Sequence, residues 1–388
     1  MLEFPRNTKQ SFCALDRSGF SSVSIGLSAL LTLSVAQVWA ADLAELLQES
    51  SNSKVASELV LELQADPTLE LLEVLAVMRE ANASQKNWLI SLAQVIADRD
   101  KQESKQRLSD FLKQEAQDSV ARYWAFDFVT KGDEQARELF LNGATEDPCL
   151  DIRYEAIELA LRNLDEAEAL PAEDKKTQLK GLLTKARLAE QVQQIGSKLE
   201  ELGEPQDLLQ HFGFVANWSL IGPFDNTEMV GFAKQYAPEL SLESGTSLAK
   251  SDSLEGIDGK SGKLSWIEVT TEDQGGMVDV GAALSKEKGA VAYLVGAFNS
   301  TESRKCQFRI GTPNATKIWL NGDLIMSREV YHSGNQVDQY VESVELKEGP
   351  NEIVIKSCQN EQTEPWAQDW AFQARFTDET GKAIQPAQ

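Results

Sequence analysis

The chain has 388 residues, 42% of them hydrophobic and 25% charged, with 37 Lys and Arg against 61 Asp and Glu and a formal net charge of −24. That length and mixture fit two globular domains with real cores. The acid excess argues against a nucleic-acid binder and against docking on anionic lipid, both of which need clustered Lys and Arg.

The N-terminus reads as an address. Arg6, Lys9 and Arg17 precede the uncharged run SVSIGLSALLTLSVAQVWA, which ends with Val38 and Ala40 at small-residue positions before acidic sequence starts at Asp42. This is the pattern of a secretory signal peptide, residues 1–40, cleaved after Ala40. The run is only just long enough to span a bilayer, so an uncleaved anchor is the alternative. No Cys stands near the cleavage point, which argues against a lipoprotein. No later segment reaches the roughly 18 apolar residues of a membrane span. The expected location is secreted, periplasmic or cell-envelope.

Residues 41–205 carry helical periodicity. In DIRYEAIELALRNL the apolar positions Ile152, Ala156, Ile157, Ala160, Leu161 and Leu164 share one helix face. A longer stripe runs from Leu179 to Leu202 and is ended by Gly203 and Pro205. Other helices are expected at 54–64, 68–81, 85–98, 103–115, 118–130 and 133–143. Short helices joined by short turns favour an α-solenoid. Runs such as Asp165, Glu166 and Glu168 read as a solvated face.

From His211 the period changes. FGFVANWSLIGPF, KLSWIEVT, AVAYLVGAF, RKCQFRIG, ATKIWLNG, DLIMSR, DQYVESVEL, NEIVIKSCQ and AFQARFTD are short, β-branched and aromatic. Asn321-Gly322 between two apolar runs predicts a two-residue hairpin, and Gly222-Pro223 a strand end. Residues 206–388 therefore read as an antiparallel β-sandwich or jelly roll with no intervening helix. Trp218, Trp319 and Trp370 are expected in its core, and Trp366, beside Pro365, outside it. Cys13 leaves with the signal. Cys306 and Cys358 both fall in the β region and are the candidates for a disulfide, against the alternative that each is a small buried apolar residue.

Two resemblances follow from these residues. EDPCLDIRYEAIELAL, with Asp147 and Arg153 six apart, resembles a HEAT repeat, and DSVARYWAFDFV is similar in outline; in that family the pair bridges neighbouring units. Trp218 to Phe224, Gly231-Phe232, Tyr236, Pro238-Glu239, Trp319 to Gly322, Leu346, Gly349, Asn351, Ile353, Lys356, Trp370, Phe372, Arg375 and Asp378 together resemble a galactose-binding-like sandwich domain. Helical repeats joined to such a domain resemble secreted proteins of planctomycete-type bacteria. The resemblance implies fold and compartment strongly and function weakly.

Catalytic chemistry finds little support. His332, Ser333 and Asp338 are close in sequence but match no hydrolase spacing, and no GxSxG, P-loop or dinucleotide fingerprint is present. With only His211 and His332 in the chain, a His-rich zinc site is excluded. Binding is the better reading, because a sugar needs an exposed ring to stack on and polar side chains for its hydroxyl rim. YHSGNQVDQY offers Tyr331, His332, Asn335 and Asp338; QNEQTEPWAQDW offers Gln359, Asn360 and Trp366. Loop oxygens of Asp225, Asn226 or Asp258 are candidates for a structural Ca²⁺; no other cofactor is expected. The expected function is a non-catalytic binding and scaffolding protein whose sandwich holds a carbohydrate or a partner protein and whose helical repeats offer a protein-contact surface. The alternatives are assembly without glycan binding, and a polysaccharide-active hydrolase or its accessory subunit.

Overall fold

The computed structural model describes residues 43–48, 52–249 and 252–387; the signal-peptide reading and Cys13 lie outside the described residues. The helices are α1 (43–48), α2 (Ser53–Ala65), α3 (Leu71–Val77), α4 (Ala83–Arg99), α5 (Lys101–Leu112), α6 (Ser119–Thr130), α7 (Glu134–Leu141), α8 (Leu150–Glu166), α9 (Ala172–Lys185), α10 (Ala189–Glu201) and α11 (Leu208–Phe212). Asn52, Asn82, Asp100 and Asp133 cap four of them by accepting from backbone N–H groups of the first turn. The chain divides into two compact units, 1–129 and 130–388.

The long apolar stripe after Leu179 is two helices, not one. The chain turns extended at Ala186, and Arg187 donates to the carbonyls of Thr184 and Ala186, which ends α9 without Gly or Pro. Asp147 and Arg153 do not pair side chain to side chain across repeats. Arg153 donates to the backbone carbonyls of Asp147 and Glu146, while the Asp147 carboxylate accepts from Cys149 N–H. Arg122 acts in the same way on the carbonyls of Leu112 and Gln114. In both places a buried guanidinium holds the turn before its own helix.

The strands are β1 (Asn217–Asp225), β2 (Ile267–Thr270), β3 (Val278–Asp279), β4 (Ala290–Ser300), β5 (Arg304–Gly311), β6 (Ala315–Leu320), β7 (Asp323–Arg328), β8 (Tyr340–Leu346), β9 (Gly349–Gln359) and β10 (Ala371–Thr377). They form two antiparallel sheets, ordered β2-β1-β4-β9-β6-β7 and β3-β10-β5-β8. Two short helices interrupt them, α12 (Ala237–Glu243) and α13 (Val280–Ala283), where the sequence predicts none. Asn321 and Gly322 both take positive φ and close the β6–β7 hairpin, as that dipeptide predicts. Gly222-Pro223 is not a strand end. β1 runs on through a bulge there, and Pro223 is tolerated because β2 stops pairing at Leu220.

Strand alternation sorts the six-stranded sheet into two cores. Leu220, Leu294, Ile353 and Ile355 face the four-stranded sheet and meet Phe308, Phe372 and Phe376, with Trp218 and Trp370 buried among them. Ile221, Val291, Tyr293, Val354 and Trp319 face outward and are covered by the segment after β1, through Phe232, Leu242, Leu248, Leu254 and Leu264. A buried charge pins that cover. Lys356 Nζ is fully buried and lies 2.5 Å from Glu239 Oε1 of α12, which also accepts from Tyr293 Oη at 2.5 Å. Lys356 also donates to the carbonyls of Phe232 and Lys234, at 3.1 and 2.8 Å. Its pKa is held below the ordinary value by burial, against the pull of Glu239.

The outer edges are managed. β2 and β3 are short, and on β8 Glu342 stands directly opposite the core residue Phe308, so it points inward and meets Arg328 of β7 at 3.3 Å. Inward charge on an edge strand opposes strand recruitment.

Cys306 and Cys358 do not form a disulfide. Cys306 lies in the core between the sheets and Cys358 in the core on the far side of β9, so a sheet separates the thiols. Burial pushes the thiols of Cys306 and Cys358 up to about 11 and about 12, and that of Cys149 upward as well. Thiol labelling at pH 8 should therefore leave these three unmodified in the native protein and modify all three after unfolding; mass spectrometry of the two states checks this. Glu239→Ala should cost about 3–5 kcal/mol in urea unfolding, because it leaves Lys356 charged and buried.

Candidate ligand-binding site

Three loops meet at one end of the six-stranded sheet: 226–231 after β1, 329–338 after β7, and 360–370 after β9. Asn226 ties them together. It is fully buried and donates through Nδ2 to Tyr331 Oη at 3.2 Å and to the carbonyl of Gln359 at 3.0 Å. Its Oδ1 is buried without a partner and faces Gly231, where a Cβ would sit 2.6 Å from it. Only glycine fits there. Glu228 N–H donates to the Glu361 carboxylate at 2.9 Å, which joins the first loop to the third.

On this base stands the aromatic group that the sequence singles out. Trp366 is 61% exposed. His332 packs against it edge to face, with ring centroids 5.1 Å apart. His332 Nε2 lies 3.0 Å from Asn360 Oδ1, which already accepts from Gln362 N–H, so the imidazole nitrogen is the donor. Gln359 is buried beneath and bonds Asn314 and the carbonyls of Ala367 and Asp369. Tyr331 is half-buried, its hydroxyl pushed up to about 12 by burial despite the Asn226 bond. Glu228, Met229 and His332 all hold left-handed backbone, at φ 57°, 60° and 57°. Such conformations cost of order 1 kcal/mol each and persist only where surroundings impose them. Met229 and Val230 are exposed beside them.

Tyr331, His332, Gln359, Asn360 and Trp366 are thus brought together, and two other predicted residues are not. Asn335 sits on a separate cleft of about 430 Å³ lined by Met277, Lys286 and Trp370. Asp338 is not available to a ligand, because it is structural. Its carboxylate joins Arg375 Nε at 2.8 Å and Nη2 at 2.5 Å, and Arg309 Nη1 at 2.7 Å. Those two arginines stand directly opposite each other on β10 and β5. Arg375 is 2% exposed, donates to the carbonyl of Phe212, and stacks on Phe212 and Phe214.

His332, Ser333 and Asp338 do not assemble as a triad. Ser333 Oγ bonds Thr312 and Gln339, and His332 and Asp338 face other partners. Of the candidate cation ligands, Asp225 and Asp258 are engaged by other partners, while the Oδ1 of Asn226 is buried without one. Asp225 accepts from Thr227, and Asp258 pairs with Lys263 at 2.7 Å. Among the described residues no three His, Cys, Asp or Glu side chains gather as a metal-ligand set, and no helix is long and apolar enough to cross a membrane. Within the loop 226–231 the sequence offers Asn226 as a candidate ligand oxygen, whereas the left-handed backbone of Glu228 and Met229 has no residue-type signal.

No family model matches the chain, and no curated protein matches it. Among solved structures it is similar to a β-glucosidase from Kluyveromyces marxianus, at 11% identity over 46% of this chain and 21% of that one, with TM-score 0.26. It is also similar to the PA14 domain of the MpAFP antifreeze protein, at 15% identity over 44% and 68%, TM-score 0.21. A third is an anti-sigma factor domain-containing protein from Clostridium clariflavum, at 15% identity over 26% and 32%, TM-score 0.19. The chain spans less than a third of the glucosidase and about a third of the anti-sigma protein. At these scores the similarities carry no argument about fold or activity.

Burial raises the Asp338 pKa, but Arg375 and Arg309 together outweigh it and hold the carboxyl below its ordinary 3.8. A depressed carboxyl stabilises the fold above the unfolded pKa and loses that contribution as pH falls through the folded one. Asp338→Asn should lower stability by about 3–5 kcal/mol at pH 7, leaving two facing arginines unneutralised. The gap from wild type should narrow in melts run below pH 3.8.

Proposed function

We propose that the chain is a non-catalytic, exported binding and scaffolding protein, and that the loop end carrying Trp366 holds a carbohydrate ring. The observation that carries this reading is an indole left 61% exposed while its neighbours are fixed in buried hydrogen bonds. A flat apolar face with the His332 imidazole packed against its edge suits a pyranose, which stacks its C–H face and bonds polar side chains through its hydroxyls. In this reading the two sheets are a galactose-binding-like jelly roll, the helices are HEAT-like repeats offering a protein-contact surface, and residues 1–40 direct export to the periplasm, envelope or medium. The pattern of helices in contact with their sequence neighbours, such as α3 with α4 and α9 with α10, supports the repeat reading. The low content of basic residues supports a partner other than nucleic acid.

A protein partner at the same loops is the second reading, favoured by exposed Met229 and Val230 on the loop that Glu228 ties to Glu361. A glycan array and insoluble-polysaccharide pull-down with the full mature chain separates the two. Carbohydrate binding predicts saturable capture that falls at least tenfold in Trp366→Ala, with Trp366→Phe intermediate. Because Trp366 is exposed, the Ala variant should unfold within about 0.5 kcal/mol of wild type, so lost binding reports on the site. Absence of capture by any glycan would move the assignment to protein assembly.

A further inference from the structure

A second site lies away from Trp366, where α9 and α11 meet the turn after β10. It is a cleft of about 610 Å³, a volume suited to a small molecule. One wall is the end of α9 with Thr184 and Arg187. The second is α11 with Gln210 and His211. The third is the turn carrying Lys382, held by Asp378, whose carboxylate accepts from the N–H groups of Thr380 and Lys382. Gln385 closes the far side by donating to the carbonyl of Gln210 at 2.9 Å.

The charges in this cleft are unlike those of the chain as a whole. Arg375 at its base is neutralised by Asp338. Arg187 is not neutralised. Its Nη1 donates to two carbonyls of its own turn, and its Nε is buried with no partner. Lys382 carries no ion pair among the described residues. The carboxylate lining the cleft, Asp207, caps α11 by accepting from Gln210 N–H; Asp378 and Glu146 also act on Arg187 through space, without an ion pair to it. Burial, Arg187 and Arg375 hold His211 below its ordinary pKa. A protein of net charge −24 thus keeps a cleft in which neither Arg187 nor Lys382 has an ion pair among the described residues.

We propose that this cleft binds a small ligand bearing an oxyanion, whose carboxylate or phosphate is received by Arg187 and Lys382 while Thr184 and Gln206 bond its polar body. The proposal is independent of the Trp366 site. Both an acidic sugar and free phosphate present this chemistry, so the test uses glucuronate and inorganic phosphate, with glucose as the neutral control. The chain has two histidines, so the His211 ring signals can be followed by NMR and assigned against a His332→Asn variant. Saturable shifts of His211 by glucuronate, phosphate or both, with His332 unmoved and glucose inert, are expected. Glucuronate alone would identify an acidic-sugar site, and phosphate alone a phosphate site. Arg187→Gln and the exposed Lys382→Gln should each weaken binding at least fivefold, and Arg187→Lys should restore part of it. Lack of a saturable shift by either anion up to 20-fold above a millimolar concentration, on the order of the weakest specific affinities, would overturn the proposal. So would binding that both Gln variants leave unchanged.

Discussion

Two arginines face each other across neighbouring strands, and much of the surrounding architecture follows from that placement. Arg309 on β5 and Arg375 on β10 are direct cross-strand partners, a position in which like charges repel. The carboxylate of Asp338 bonds both. To reach them, the loop after β7 has to fold over the outer face of the four-stranded sheet. Arg375 then spreads its guanidinium over Phe212 and Phe214 and bonds the Phe212 carbonyl. These two phenylalanines also belong to the core formed by α8, α9 and α10. One ion triad therefore sets the loop, α11 and the sheet in a single arrangement, and the cationic cleft beside α11 is a product of it.

The six-stranded sheet is insulated on its other face by different means. There the cover is a segment with little regular structure, fastened by a lysine that no water reaches. The residues that carry the sequence resemblance are fasteners, such as Phe232, Glu239, Lys356 and Arg375, or core residues, such as Trp218 and Phe372. A motif made of fasteners reports how a domain is built. It says little about what the domain holds, since the exposed indole at the loop end lies outside it.

The legible parts of the fold were those decided by local physics. The Asn321-Gly322 hairpin, the burial of Trp218, Trp319 and Trp370, and the exposure of Trp366 beside Pro365 each follow from a few adjacent residues. What resisted were choices made by distant contacts. Nothing between Leu179 and Leu202 announces a break, yet Arg187 ends α9 there. Cys306 and Cys358 look pairable until strand alternation puts a sheet between them. Asp338 looked like a ligand contact because its arginine partners stand 29 and 37 residues away. At the site, Tyr331, His332 and Asn360 were recognisable as a polar-aromatic mixture, whereas the role of Asn226 depends on three loops arriving together.

The treatment of the sheet margins bears on how this molecule can associate. A flat strand with free backbone groups invites another chain to add itself. Here β2 and β3 offer too few residues to template one, and on β7 and β8 the Arg328–Glu342 pair lies across the opening between the sheets. Copies crowded together would find short or charge-guarded edges among the described strands, which favours contact through side chains on loops and helices. Contacts of that kind form and dissolve with the chemistry of a surface, whereas shared strands grow into fibres.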